Sequence, residues 1–177
     1  HDVSLNDLFQ RRYAIICACD NYKYAGSDLP TLHCAVNDAR LYEKTLTAMG
    51  MEVKLLLNEE CNKGNIIGVL DRAVKRFGHS KVAAQFMFIY AGHGIADKGG
   101  RGWIAPYGFQ DSELHGTGLR MDRIKDFAEE VGATQQMWIF DCCHAGNVLA
   151  GRLRGASARF ALNKCKRPAV QAMTAVT

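Results

Sequence analysis

Two patterns of apolar residues alternate along the chain. Arg12 to Cys19 (Arg-Tyr-Ala-Ile-Ile-Cys-Ala-Cys) is an almost unbroken apolar run, the texture of a strand covered on both faces. From Thr31 to Met49 the period changes. Leu32, Ala35, Ala39, Tyr42, Leu46 and Met49 recur at helical spacing and Gly50 follows as a stop, which predicts an amphipathic helix over 31–49. Met51 to Leu57 reads as a second strand. Ile66, Val69, Leu70, Ala73 and Phe77 mark a second helix ending at Gly78, and Val82 to Tyr90 a third strand. A third helix follows over 121–131, then a fourth strand over 137–140 and a candidate fifth over 169–177. Helices between strands imply parallel pairing with right-handed crossovers, because a shorter connection cannot bring the chain back to the same edge. The expected architecture is α/β: a mostly parallel sheet with helices on both faces.

The segment from Gly92 to Arg120 breaks this alternation. It holds eight glycines and reads as a loop excursion, with a small hairpin around Trp103 to Tyr107 between turn signals. Residues 146–167, rich in Gly, Ala, Arg and Lys, read as a linker. A chain of 177 residues, 48% hydrophobic, can bury one sizeable core, so residues 1–177 are expected to form a single domain. It opens on His1 rather than Met and closes on an apolar run, as a piece of a longer polypeptide would.

Composition removes several function classes. The net charge of +4 comes with no arginine-rich helix and no basic stripe interleaved with aromatics, so nucleic acid is not the expected partner. No run approaches the roughly 20 apolar residues of a membrane span, and residues 1–15 lack the pattern of a signal peptide. Seven cysteines is an odd count. Cys17, Cys19, Cys34 and Cys61 sit in or beside apolar runs, without the loop-rich texture of a disulfide scaffold. A reducing cytoplasm is the expected compartment.

Candidate chemistry concentrates in two strings, Ile-Tyr-Ala-Gly-His-Gly at 89–94 and Phe-Asp-Cys-Cys-His-Ala-Gly at 140–146. Each follows a β-prone run, so each marks the end of a buried strand. If those strands are parallel, both strings emerge at the carboxyl edge, where open α/β sheets place their sites. A thiol with an imidazole nearby is a nucleophile with its base. Attack on an amide needs the thiolate, and a free thiol titrates at about 8.5, so a base must take its proton. His93 is the candidate base and proton donor to the leaving amine. Gly92 and Gly94 suit a turn where a backbone N–H approaches a substrate carbonyl. The N–H of Cys143 is a natural second donor to an oxyanion.

Tyr-Ala-Gly-His-Gly and Asp-Cys-Cys-His-Ala-Gly resemble the paired motifs of caspase-like cysteine peptidases, specifically the metacaspase, orthocaspase and paracaspase branch; the 50-residue separation of His93 and Cys143 matches the caspase spacing. The matching order of strands and helices extends over nearly the whole chain. The resemblance implies a caspase-like three-layer sandwich in which Cys143 is the nucleophile, Cys142 a bystander and His93 the base. Asn37-Asp38-Ala39 looks like the family's first-helix motif, so Asp38 and Asp141 correspond to the two acids of its primary specificity pocket. Asp141 lies two residues before the nucleophile, and strand side chains two apart point the same way. An acid there implies protein or peptide substrates with Arg or Lys before the scissile bond. The family also implies a smaller, p10-like second portion. Residues 1–145 would be the p20-like part, 146–167 a processing linker and 168–177 the start of the second portion.

Other residues carry less. His144 follows the nucleophile directly, and adjacent strand residues point to opposite faces. Cys142, Cys143 and His144 cannot converge on one tetrahedral ion, so no metal site is expected. Some metacaspases depend on calcium, but Asp97, Asp111, Glu113 and Asp122 are scattered and residues 145–155 hold no acid, so no cofactor is expected and calcium dependence is doubtful. Cys17 and Cys19 read as core; His33, His79 and His115 read as surface or loop. Two competing readings are a catalytically silent caspase-like interaction module and a thiol redox protein using the vicinal Cys142 and Cys143, which bridge only with strain.

Overall fold

The computed structural model describes residues 8–22, 28–78 and 82–142, and the backbone of residues 169–174. Five parallel strands form the central sheet: β1 (Arg11–Ala18), β2 (Glu52–Leu57), β3 (Ala84–Ala91), β7 (Gln135–Asp141) and β8 (Ala169–Thr174), in the order β2-β1-β3-β7-β8. The expected mostly parallel α/β sheet with helices on both faces is observed. A second, antiparallel sheet pairs β4 (His93–Ala96), β5 (Gly102–Ala105) and β6 (Leu119–Arg120) in the order β4-β5-β6. The helices are α1 (Ala35–Ala48), α2 (Lys63–Phe77), the single turn α3 (Leu114–Thr117) and α4 (Met121–Glu130).

The continuous apolar runs follow from burial on both sides. Along β1, Ala14, Ile16 and Ala18 face α1, while Ile15, Cys17 and Cys19 face α2 and α4. β3 divides in the same way, with Phe86, Phe88 and Tyr90 on one side and Ile89 and Ala91 on the other. The two layers therefore differ in kind. On the α1 side the contacts are mostly small, with Ala35 and Ala39 against Ala14, Ala18 and Ala91, so helix and sheet approach closely. On the other side Phe77, Phe86, Phe88, Phe127 and Trp138 fill the layer. Each such fully buried side chain contributes about 1.5–3 kcal/mol through water exclusion.

Two boundaries differ from expectation for identifiable reasons. The first helix starts at Ala35 rather than Thr31, because Asp20, just past β1, accepts the N–H groups of Ala35 and Val36 at 3.0 and 3.2 Å and so fixes where the helix begins. The apolar stripe assigned to that helix is only partly covered: Ala35, Ala39 and Leu46 are buried, but Tyr42 and Met49 are exposed. The hairpin expected around 103–107 is also built differently. β5 pairs with β4 on one side, from His93↔Ala105 to Ala96↔Gly102, and with β6 on the other. His93, expected in a loop, thus opens a strand.

Only Gly92 separates β3 from β4. A Cβ at this position would lie 2.7 Å from the Tyr90 hydroxyl and 2.9 Å from that of Tyr22. Glycine is required here by close approach, and it lets the chain leave one sheet and enter the other within a single residue.

Candidate active site

The carboxyl edge of the sheet brings three chain segments side by side. Beyond the strand ends, the ladder continues through Cys19 N–H to Ala91 O at 3.1 Å and Gly92 N–H to Asp141 O at 3.2 Å. Cys19 and Gly92, the residues following β1 and β3, therefore stay hydrogen-bonded to the last residues of β3 and β7. β3 and β7 pair from Gln85↔Gln135 to Ala91↔Asp141, so Gly92 and His93 leave one strand beside the end of its neighbour. The string at 89–94 and the described start of the second, Phe140 to Cys142, share one edge.

His93 is held at every polar position of its backbone. Its N–H lies 3.1 Å from the Tyr22 hydroxyl, and its carbonyl oxygen lies 3.1 Å from the Tyr90 hydroxyl. Both tyrosine hydroxyls also lie 2.8 Å from the carbonyl oxygen of Ala105, the residue opposite His93 in β5. The Tyr22 ring meets the imidazole edge to face at 4.7 Å. Burial raises the titration of both phenols, so both remain hydroxyl donors.

The imidazole itself is oriented by Pro30, whose carbonyl oxygen lies 2.8 Å from Nε2. A carbonyl oxygen only accepts, so Nε2 carries the hydrogen and, in the neutral ring, Nδ1 holds the lone pair. His93 is half-buried. The arrangement holds an oriented imidazole at a sheet edge.

The other expected site residues are distributed around this edge. Asp141 is the last residue of β7 and is exposed. Asp38 is exposed in the first turn of α1. Because α1 returns the chain from β1 to β2, its first turn sits at the carboxyl edge too, so both acids border the same end of the sheet. Gly94 is the buried second residue of β4, opposite Ile104. Cys142 is 6% exposed. Cys143, and with it the linker 146–167, lies outside the described residues, as does His79. His33 and His115 are exposed, as expected, and Cys17 and Cys19 are core. Cys34, expected in or beside an apolar run, is exposed.

The core thiols are poor nucleophiles. Burial pushes Cys19 up to about 12, and hydrogen bonding to Cys17 together with burial raises Cys61, so both stay protonated. Among the described residues no three His, Cys, Asp or Glu side chains are grouped to hold a metal ion. Asp97, one of the acids weighed as a calcium ligand, is already engaged. Its carboxylate accepts from the N–H of Gly99 and Arg101, from Arg101 Nε and from Trp103 Nε1 at 2.8–3.2 Å, so it organises the turn of its own hairpin.

Comparison with known proteins decides the family. The caspase-domain family matches residues 11–174, from the first residue of β1 to the last of β8. The chain belongs to the caspase-domain family. Among solved structures, the caspase domain resembles the crystal structure of protein GSU0716 from Geobacter sulfurreducens, with a TM-score of 0.57 at 17% identity. That match covers 75% of this chain and 50% of the other, so the caspase domain spans about half the length of the structure it resembles. No curated protein matches the chain. Among the described residues no helix is long and apolar enough to cross a membrane.

Sequence reasoning missed Asp20, Tyr22, Pro30, Asn58 and Tyr90, all of which shape this edge. Their signal was faint. Asp20 and Tyr22 follow the first strand directly, where carboxyl-edge residues are expected, but nothing in the spacing pairs them with His93.

Proposed function

We propose that this caspase domain is the catalytic part of a cysteine endopeptidase of the metacaspase-like branch, cleaving after Arg or Lys. The observation that carries the reading is the fixed imidazole: His93 opens β4, one residue beyond β3, with Nε2 on the Pro30 carbonyl oxygen, which leaves Nδ1 of the neutral ring to accept, beside the end of β7. Cys143 is one peptide bond beyond Cys142, and covalent geometry limits that step to about 3.8 Å between Cα atoms.

In this mechanism His93 Nδ1 takes the Cys143 thiol proton and the thiolate attacks the scissile carbonyl carbon. The carbonyl electrons move to oxygen, whose charge is met by the backbone N–H groups of Gly94 and Cys143. The imidazolium then gives its proton to the leaving amine as the C–N bond breaks, leaving a thioester. Water, deprotonated by the neutral imidazole, attacks the thioester and returns the thiol. Pro30 stabilises the imidazolium through Nε2 and prevents the ring from turning. Asp141 and Asp38, two carboxylates at the same edge, select a basic side chain by charge-assisted hydrogen bonds.

The partners are therefore protein or peptide substrates with Arg or Lys before the cut. A p10-like portion is the further partner this reading expects to complete the groove. None of Cys17, Cys19, Cys34, Cys61 and Cys142 is in a disulfide, which fits a cytoplasmic protein. Matched fluorogenic peptides ending in Arg, Lys or Asp, incubated with the full-length protein and with Cys143→Ala, test the reading. Turnover of the basic peptides by the wild type alone is expected. Preference for Asp overturns the specificity, and turnover of none favours a silent interaction module.

A further inference from the structure

We infer that Asp20, braced by Asn58, is a positioning residue that sets the orientation of His93 through the Pro30 carbonyl. The inference rests on the reading of His93 as the base. Three features of Asp20 meet in one place. Its carboxylate accepts from Ala35 and Val36 at the start of α1. Its carbonyl oxygen accepts from the N–H of Leu32 at 2.9 Å. Its own N–H, with that of Asn21, donates to the Asn58 side-chain oxygen at 3.0 and 3.1 Å.

The consequence lies in the short segment 28–34. Pro30, two residues before Leu32, offers the carbonyl oxygen that holds His93 Nε2 at 2.8 Å. The proline ring fixes φ at residue 30, which narrows the directions this carbonyl can take. The anchor is the next pair of attachments along the chain, Leu32 on the Asp20 carbonyl and Ala35 with Val36 on its carboxylate. Asp20 thus ties one side of the imidazole's support to the end of β1, while β3 fixes the other. The same carboxylate fixes the first turn of α1, which carries Asp38. One residue therefore links the base to a specificity acid.

Asn58 completes the brace at a conformational cost. It lies at φ 45°, in the left-handed region that L side chains seldom adopt. Asparagine tolerates this region better than most residues, and here its side chain satisfies two backbone donors beyond β1.

The test reads the imidazole directly. Nitrogen NMR of histidine-labelled full-length protein reports which ring nitrogen carries the hydrogen, with the His93 signal assigned by its loss in His93→Ala. Wild type should show a dominant Nε2–H form. Asp20→Ala should convert this to an averaged mixture, and Asp20→Asn, which keeps one acceptor oxygen, should lie between them. Asn58→Gly provides a second variant in case Asp20→Ala fails to fold, because glycine accepts the left-handed backbone and removes only the side-chain acceptor; it should shift His93 in the same direction. Arg76→Ala, which breaks the remote ion pair to Glu52, should leave the His93 signal unchanged. In turnover, the network variants should lose kcat by about 10- to 100-fold, with KM changed far less. An unaltered Nε2–H signature in both Asp20→Ala and Asn58→Gly, or an equal shift in Arg76→Ala, would overturn the inference. The NMR readout does not need hydrolysis. A protein that shows the Asp20 effect but cleaves nothing fails the peptidase reading alone, and a protein that cleaves peptides with an unmoved signature fails this inference alone.

Discussion

The hydroxyl of Tyr22 lies 3.1 Å from the backbone nitrogen of His93, and the two rings meet edge to face at 4.7 Å. One side chain, from the loop after β1, thus supports both the backbone and the ring of the first residue of β4. The neighbouring Tyr90 takes the His93 carbonyl, and both hydroxyls converge on Ala105. The result is a His93 held from the loop after β1, from β3 and from β5, the kind of constraint that the proposed catalytic role requires.

Tyr22→Phe should separate support from packing. The ring contact remains, but the His93 N–H loses its acceptor in a part-buried place, at a cost of about 1–3 kcal/mol in stability. We expect kcat/KM on a basic peptide to fall about 10- to 100-fold while the fold is retained. Unchanged kinetics, with the expected loss in denaturant midpoint, would show that His93 does not need this hydroxyl.

Gly92→Ala should be more damaging than its size suggests. The added methyl group would meet two hydroxyls at 2.7 and 2.9 Å, and both are pinned between Ala105 and His93. Overpacking of this kind costs about 1–3 kcal/mol. Gly116 is the comparison, since a Cβ there meets nothing closer than 3.8 Å. Thermal melts should show a clear drop for Gly92→Ala and little change for Gly116→Ala; similar melts for the two would contradict the close-approach argument.

These residues also show where sequence reading stops. The strands were legible because burial on both faces leaves little room for polar residues, as in Ala14 to Cys19. The sharing of one edge by the two strings followed from parallel pairing. The support around His93 was not legible, because it is made of contacts between residues far apart in the chain: Tyr22 and His93, Pro30 and His93, Asp20 and Asn58. Local patterns contain no such pairings. The start of α1 was misjudged for the same reason. Its cap comes from Asp20, 15 positions upstream of Ala35, and no rule about neighbouring residues anticipates that.

Cys142 and Cys143 should behave in opposite ways. Cys142 is buried at the end of β7, so Cys142→Ala should lower stability by roughly 1 kcal/mol and leave turnover largely intact. Cys143→Ala should remove turnover by several orders of magnitude with the melting temperature nearly unchanged. Parallel melting and peptide-hydrolysis measurements distinguish the two. Equal losses of activity in both variants would point to a role for the vicinal pair.

The hairpin beside the site should loosen in acid. Asp97 is drawn down to about 2, chiefly by the backbone N–H of Arg101 and further by Trp103 and the Arg101 guanidinium. A carboxyl group whose folded value lies below its unfolded value of about 3.9 stabilises the fold fully above that unfolded value, and this contribution is lost as pH falls toward 2. Trp103 donates to the same carboxylate, so its fluorescence should change between about pH 4 and 2, and Asp97→Asn should flatten that change. A Trp103 signal that is constant down to pH 2, or one that changes identically in Asp97→Asn, would assign the acid response to other groups.

Self-cleavage is the last expected property, and the sheet bears on its outcome. Arg152, Arg154, Arg159, Lys164, Lys166 and Arg167 all fall between Cys143 and β8, and an enzyme selecting basic residues would find its own chain a substrate. A cut after any of them lies upstream of Ala169. β8 pairs with β7 without interruption, from Gln135↔Ala169 to Phe140↔Thr174, a ladder that includes none of the residues between Cys143 and Arg167. The two fragments should therefore remain together after cleavage. Mass spectrometry of the purified full-length protein should show a cut after one or more of these residues in wild type and none in Cys143→Ala, with both fragments leaving a sizing column as one species. Fragments that separate would show that the β7–β8 ladder needs the intact chain. An uncut wild type that nonetheless hydrolyses added peptides would show that activity does not require processing here.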